Sequence, residues 1–503
     1  MDKPKFDVFV LATITILISS VAFIELLDAT IINVSIPAIS GSLGISLSEG
    51  TAAIVAYSLG AALVMPLTGR LAQRTGEVKL FCASSMLFTV CSLLCALSTT
   101  IDALILFRFL QGLVSGPLVP LSLSLLIMIF PQESKPTAIA FWSASIGIAP
   151  IIGPVLGGWI TDYYQWPILF LINLPLGIFA SVYLWLKLKD YETKTEKVPI
   201  DYIGMILLFI GVGALQVFLE FGPEDDWFES NFITTCLVVA VVCLSYMVLW
   251  VTHRNNPIIL LSLFRDRNFA VGVTIQSLVV FASVGITVVY PLWLQGTLNY
   301  TATWAGLALA PVGILMLIFS FLIGKALKAV DGRWLCAVGL LIFFATSAWF
   351  SLFPTTVSFE SLFLPRLLLG LGVAFFFVPI NNIILSTIPP SSTTAALGLS
   401  NFLRTLAASM GAAVTVTLWR HRDKYHEFTL TQNVQDESNY ESLLSELSPA
   451  DLNQPALSLQ MVKELVADES ATLAVNDIYA LYALIFLLML ALLAFTRRAP
   501  QAA

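Results

Sequence analysis

The stretch IELLDATIINV, residues 24–34, sets two carboxylates, Glu25 and Asp28, three positions apart inside a long apolar run. That spacing puts both on one face of a helix. A charge at the centre of a membrane-spanning helix costs about 2.5–3.5 kcal/mol on insertion scales, so each acid is a functional-site candidate. Two buried carboxylates this close repel each other when both are ionised, which is the property a proton-coupling site requires. Arg108, in RFLQGLVSG, enters the fourth apolar run at a depth comparable to Asp28. An arginine that pairs with one acid and then moves away converts a rearrangement into proton uptake and release. The competing reading of Asp28 and Arg108 is a static ion pair between two helices; that of Glu25 is an acid facing a wet cavity without titrating. The three histidines, His253, His421 and His426, all fall in polar connections, so a proton carried within the membrane must use carboxylates.

The elements around these residues follow from composition. Of 503 residues, 58% are hydrophobic and 11% charged, with a mean hydropathy of +0.88. Soluble domains sit near half apolar and a quarter charged. The chain is therefore predicted to be an all-α polytopic membrane protein with little room for a soluble domain. The first apolar run is too long for a signal peptide and has no A-x-A-like end, so it is expected to be a retained first helix. The six cysteines form no C-x-x-C, and neither a metal site nor a disulfide framework is indicated.

Apolar windows predict fourteen transmembrane helices, beginning near residues 8, 50, 78, 102, 136, 167, 201, 232, 269, 302, 334, 360, 393 and 475. Most Lys and Arg then fall on one face, among them Arg70, Arg74, Lys79, Arg265, Arg267 and Arg497, while the first six loops on the other face have none. The positive-inside rule places both termini in the cytoplasm. Between the last two helices, residues 421–474 form a polar loop on the outer face, with ten acids against three bases. Leucine spacing in YESLLSEL and SLQMVKELV is compatible with short amphipathic helices there, and the loop reads equally as a solvated spacer or a docking surface.

An internal repeat organises the rest. RFLQGLVSG from Arg108 and RLLLGLGVA from Arg366 lie 258 residues apart, and the same offset aligns Gly153 with Gly411. Residues 1–190 and 269–503 are thus two homologous six-helix bundles, and residues 191–268 hold two inserted helices. Substrate and coupling sites are expected near the bilayer midplane between such repeats.

Two stretches are backbone features. GRLAQRTGEVKLF, residues 69–81, joins helices 2 and 3, with Gly69 and Gly76 permitting a tight turn and Arg70 and Arg74 suited to carboxylates or helix carbonyl ends. GIAPIIGPVLGG, residues 147–158, places Gly147, Gly153, Pro154 and Gly157 in helix 5, a hinge or gate on one reading and tight static packing on the other. Arg366 and Arg404 have no obvious acidic partner in the second half. Asn33, Gln111, Trp142 and Arg404 are the candidate substrate contacts. No G-x-x-x-x-G-K-[ST] motif is present, which argues against an ATP-driven pump.

These residues together resemble the major facilitator superfamily, and within it the fourteen-helix drug:proton antiporters of the EmrB type. LDATIINVSIP is similar to that family's helix 1 signature, GRLAQRTGEVKLF to the loop 2-3 motif, LILFRFLQG to the helix 4 motif and GIAPIIGPVLGG to the antiporter motif of helix 5. The resemblance implies a major facilitator fold, not an enzyme, in a bacterial inner membrane. It implies efflux of hydrophobic or amphiphilic compounds, hence antibiotic resistance, driven by the proton-motive force without a cofactor or nucleic acid. It also implies a periplasmic adaptor and an outer-membrane channel as partners, with the 421–474 loop a candidate adaptor contact. Asp28 and Arg108 carry over as coupling residues, and Gly153, Pro154 and Gly157 as the antiporter motif. Gln73 departs from the Asp usual in the loop 2-3 motif, which puts the interdomain salt bridge often made there in doubt. A proton-coupled uptake symporter of a small metabolite and a non-transporting membrane receptor are the alternatives.

Overall fold

A computed structural model describes residues 7–32, 35–45, 47–131, 134–196, 201–223, 227–254, 257, 259–327, 329–434 and 455–497, and all regular structure among them is helical. Thirteen of these helices are long and apolar enough to cross a membrane, and a bent pair makes a fourteenth. In chain order they are α1 (Val8–Ile31), α2 (Glu49–Thr75), α3 (Glu77–Ala96), α4 (Ile101–Ile129), α5 (Lys135–Tyr163), α6 (Ile168–Tyr191), α7 (Tyr202–Phe221), α8 (Asn231–Thr252), α9 (Arg267–Gly296), α10 (Trp304–Ala326), α11 (Gly332–Phe350), α12 (Phe359–Leu385), α13 (Thr393–Val434) and α14 (Pro455–Leu493). The chain is a multi-pass membrane protein.

Glycine and proline locate the irregularities. Prolines 150 and 154 sit inside α5, which bends by 42° between them; each ring removes a backbone donor and clashes with the preceding turn. Gly76 separates α2 from α3 at φ +91°, a conformation glycine adopts at little cost.

The last pair of helices departs from the sequence expectation. Hydropathy places a loop over residues 421–474, but α13 runs unbroken to Val434 and α14 already begins at Pro455. At 1.5 Å per residue the 42 residues of α13 reach about 63 Å, roughly twice the hydrocarbon thickness. The helices continue into a polar hairpin because side chains tie them together after the apolar pattern ends. Arg422 and His426 both meet Asp477, at 2.5 and 2.7 Å, and Ser470 donates to Asp423 at 2.7 Å. SLQMVKELV lies in or at the start of α14, whereas YESLLSEL falls outside the described residues.

The repeat is visible in matching contacts. Gly153 of α5 abuts Thr30 of α1, and Gly411 of α13 abuts the backbone of Phe281 in α9. Each repeat arginine also lies over a tyrosine ring, though from non-corresponding helices: Arg108 over Tyr57 of α2 at 4.2 Å and Arg366 over Tyr290 of α9 at 3.6 Å. The inserted α7 and α8 pack on one another, and α7 leans on α2 and α13. Phe232, Val238, Val241 and Tyr246 of α8 remain exposed, as a lipid-facing surface requires.

The halves meet along α5 with α10 and α2 with α13. A Cβ on Gly147 would stand 2.6 Å from the Met316 sulfur, and one on Gly69 would stand 2.5 Å from the Ala395 Cα. Within the first half, α2 and α4 approach through Gly60 and Gly112, whose added Cβ atoms would press on backbone of the facing helix. This close approach holds Tyr57 against Arg108. Overpacking of such a contact costs about 1–3 kcal/mol or more. Gly112→Val should therefore lower the melting temperature of the purified protein by several degrees, while Gly158→Ala, at a position with open space, should not. Equal melting temperatures for the two variants would contradict the packing described.

Candidate functional site

The sequence places Asp28 near the outer end of α1 and Arg108 two turns into α4, and the fold brings them together. The guanidinium Nη1 donates to Asp28 Oδ2 at 2.5 Å, with both side chains inaccessible to solvent. Asn173, in α6, donates to the other carboxylate oxygen at 2.7 Å. Gln111, one turn beyond Arg108, accepts from Nη1 at 2.9 Å and donates to Ser92 of α3 at 2.8 Å. The ring of Tyr57 lies under the guanidinium, and Phe170 covers it from 5.6 Å. An isolated charge in this setting would be prohibitively costly; both Asp28 oxygens and Nη1 and Nε of Arg108 find partners, while Arg108 Nη2 has no hydrogen-bond partner. Arg108, Asp28, Asn173, Gln111, Ser92 and Tyr57 all belong to α1–α6. Rigid movement of the two halves carries the cluster as a unit.

Glu25 is placed differently. It is also buried, at 2% exposure. The Tyr57 hydroxyl donates to its Oε1 at 3.3 Å and is shared with the Glu25 carbonyl at the same distance, while Oε2 has no hydrogen-bond partner. Glu25 also lies in the electrostatic field of Arg404, which belongs to α13 of the second half. Arg404 is partly buried. Tyr57 touches both acid–base systems, through its ring to Arg108 and through its hydroxyl to Glu25. Displacing one half relative to the other changes the field at Glu25 and leaves the partners of Asp28 in place.

The remaining sequence candidates separate. Gly69, Arg70 and Arg74 lie in the last turns of α2 and not in a loop, because the helix runs on to Thr75 and Gly76 alone makes the break before α3; Arg70 donates through Nε and Nη2 to the Pro257 carbonyl at 2.8 and 2.6 Å, and Arg74 is exposed. Gly147 and Gly153 are contact points of α5, and Pro154 sits at its bend. The Gly157 carbonyl accepts from Thr161 at 2.6 Å. Gln111 is part of the Arg108 network, with both ends of its amide engaged. Trp142 does not line a cavity: it is 2% exposed in the core of the first half and donates to Ser122 at 2.7 Å. Its large apolar ring gains more from core burial than from a wet surface. Asn33 lies outside the described residues. Arg366 is caged by Tyr290 and by Phe350 at 5.0 Å and donates to Tyr479 at 3.0 Å.

Sequence reasoning missed Asn173, Ser92 and Tyr57. Neutral polar residues interrupt hydropathy too little to be noticed, although Asn173 in LFLINLPLG is the one amide in its apolar run.

Comparison with known proteins follows the same lines. The sequence profile of the Major Facilitator Superfamily matches residues 18–412. The chain is 40% identical to the multidrug export protein EmrB of Haemophilus influenzae over 97% of its own length and 96% of the relative's. It is 39% identical to the fatty acid resistance protein FarB of Neisseria gonorrhoeae, over 97% of each. Among solved structures, the human organic anion transporter MFSD10 superposes with a TM-score of 0.62 at 12% identity, covering 96% of this chain and 99% of that one. The proton:xylose symporter XylE superposes with a TM-score of 0.57 at 12% identity, covering 95% and 96%. At that identity these two share the fold alone. The fourteen-helix architecture, the profile match and the full-length similarity to multidrug export proteins agree: the chain belongs to the major facilitator superfamily and is a multidrug efflux transporter of the EmrB type.

Proposed function

We propose that this transporter is a proton-driven antiporter that exports hydrophobic or amphiphilic compounds by alternating access, with the α2–α3 turn and both termini on the cytoplasmic side of a bacterial inner membrane. The observation that carries the reading is Glu25, a buried carboxylate of the first half that lies in the field of Arg404 of the opposite half. Asp28 and Arg108 form the fixed part of this site. Their neutralised pair keeps an arginine deep in the first half, and through Tyr57 it orients the neighbour that does the exchanging. Movement of the halves changes the separation of Glu25 and Arg404, and the charge carried by Glu25 is linked to that separation. Movement and protonation are thereby linked, and linkage runs in both directions.

Names of relatives support the substrate class. One is a multidrug export protein and another a fatty acid resistance protein. The polar ends of α13 and α14, tied together by Asp477 with Arg422 and His426, offer a surface beyond the apolar spans suited to an adaptor that passes cargo on to an outer-membrane channel.

Two outcomes test the proposal. In energised everted vesicles, adding a transported compound should release protons from the wild-type protein and at least tenfold fewer from Glu25→Gln, which keeps an acceptor for Tyr57. Asp28→Asn should lose the same response, and with it about 3–5 kcal/mol of stability, because Arg108 is left unpaired; unchanged proton release in both variants would overturn the coupling. In a pump-deleted host, resistance should require a cognate adaptor. Full resistance without one would refute the tripartite arrangement.

A further inference from the structure

The last turn of α2 carries Gln73 where the superfamily motif usually has an acid, and Gln73 makes no hydrogen bond to the other half. Its side-chain oxygen accepts from Arg70 at 3.2 Å and its carbonyl accepts from Glu196 at 2.8 Å, so it is held by residues of its own half and of the adjoining connection. Yet this face of the molecule is shut. The α2 backbone meets α13 at Gly69 and Ala395, a Cβ on Gly398 would lie 2.8 Å from the Met65 carbonyl, and the cleft between Arg70, Gln73, Leu260 and Leu399 leaves room for about one water.

We infer that Glu77 is the latch that holds this face closed. Its carboxylate bridges the halves: Thr394, in the first turn of α13, donates to one oxygen, and Ser124 of α4 donates to the other at 2.9 Å. The two hydroxyls lie 2.8 Å apart and both residues are buried. A glutamate at the start of a helix ordinarily serves that helix's own free N–H groups. Here they are already taken. Glu192 accepts from Val78 N and Lys79 N at 3.0 and 2.8 Å, and Thr193 accepts from Glu77 N at 3.0 Å. The connection after α6 thus caps α3 and frees the Glu77 carboxylate to reach across. There it meets a hydroxyl at the amino end of α13, where the helix dipole also favours a negative charge. Opening this face must pull Thr394 away from Glu77 and leave a carboxylate with one partner fewer, so the contact belongs to the closed state only. An acid four positions after Gln73 supplies the bridge that Gln73 does not make.

The latch rests on alternating access of the two halves, and its test reads the opening of the face without any substrate. Spin labels at Arg74 and Pro390, both exposed and on opposite sides of the closure, report the separation in a background lacking the native cysteines. The wild-type protein should show mainly the short distance. Glu77→Ala and Thr394→Val should each raise the ratio of long to short distances about tenfold or more, the size expected for loss of one hydrogen bond to a charged group. Their combination should add little to either alone, because both remove the same contact. Thr394→Ser, which keeps the hydroxyl, should resemble the wild type, and this pair of substitutions decides the matter if Glu77→Ala fails to fold. Unchanged distances in Thr394→Val overturn the latch whatever the protein transports. Absence of substrate-driven proton release in the wild type would count against the antiport reading and leave the distances as they are.

Discussion

Arg108 cannot stand alone in hydrocarbon, and the first half of the molecule is organised around that constraint. The guanidinium is held by Asp28 in charge, by Gln111 and Asn173 through hydrogen bonds to the pair, and by the Tyr57 ring through its face. Each partner comes from a different helix or turn. The glycines at 60 and 112 bring α2 within reach of α4, and the Asn173 amide ties α6 to Asp28. Removing any one of these supports leaves a buried polar group exposed to a medium that cannot solvate it. The ion pair therefore fixes the relative positions of α1, α2, α4 and α6, and a rigid half is what alternating access needs.

Against that fixed frame the two acids of α1 acquire different roles. Asp28 keeps its partners when the halves move, because all of them move with it. Glu25 depends on a cation of the opposite half and has an oxygen to spare. Three residues of separation, the spacing that makes the two acids look alike, also turns them toward different neighbours. In the proposed mechanism, the division between an orienting pair and an exchanging acid follows from which half supplies the partner. A similar logic operates at the α2–α3 turn, where the connection from α6 occupies the helix end and releases Glu77 to the other half.

Much of the fold is legible in the sequence because the bilayer imposes a coarse and repeated pattern. The apolar runs and the breakers of α5 have direct counterparts in the structure. The pairing of Asp28 with Arg108 was also readable, since intramembrane charges are few and each must find a partner. What hydropathy does not encode is where a helix stops once it leaves the membrane. Asp477, Arg422 and Ser470 carry α13 and α14 well past the apolar boundary through contacts between distant segments. Neutral polar residues such as Asn173 and Ser92 escape notice for the same reason, their importance lying in what faces them. Trp142 shows the opposite failure: an aromatic ring in a transmembrane helix is compatible with cavity, core or lipid, and packing alone assigns it to the core.

The most direct measurement of the central claim is a proton count. In weakly buffered detergent solution with a pH-indicating dye, binding of a transported compound to the wild-type protein should change the number of bound protons. Coupling through Glu25 predicts that the change disappears in Glu25→Gln, shrinks in Arg404→Gln, and that both variants still bind the compound. An undiminished proton change in Glu25→Gln would contradict it.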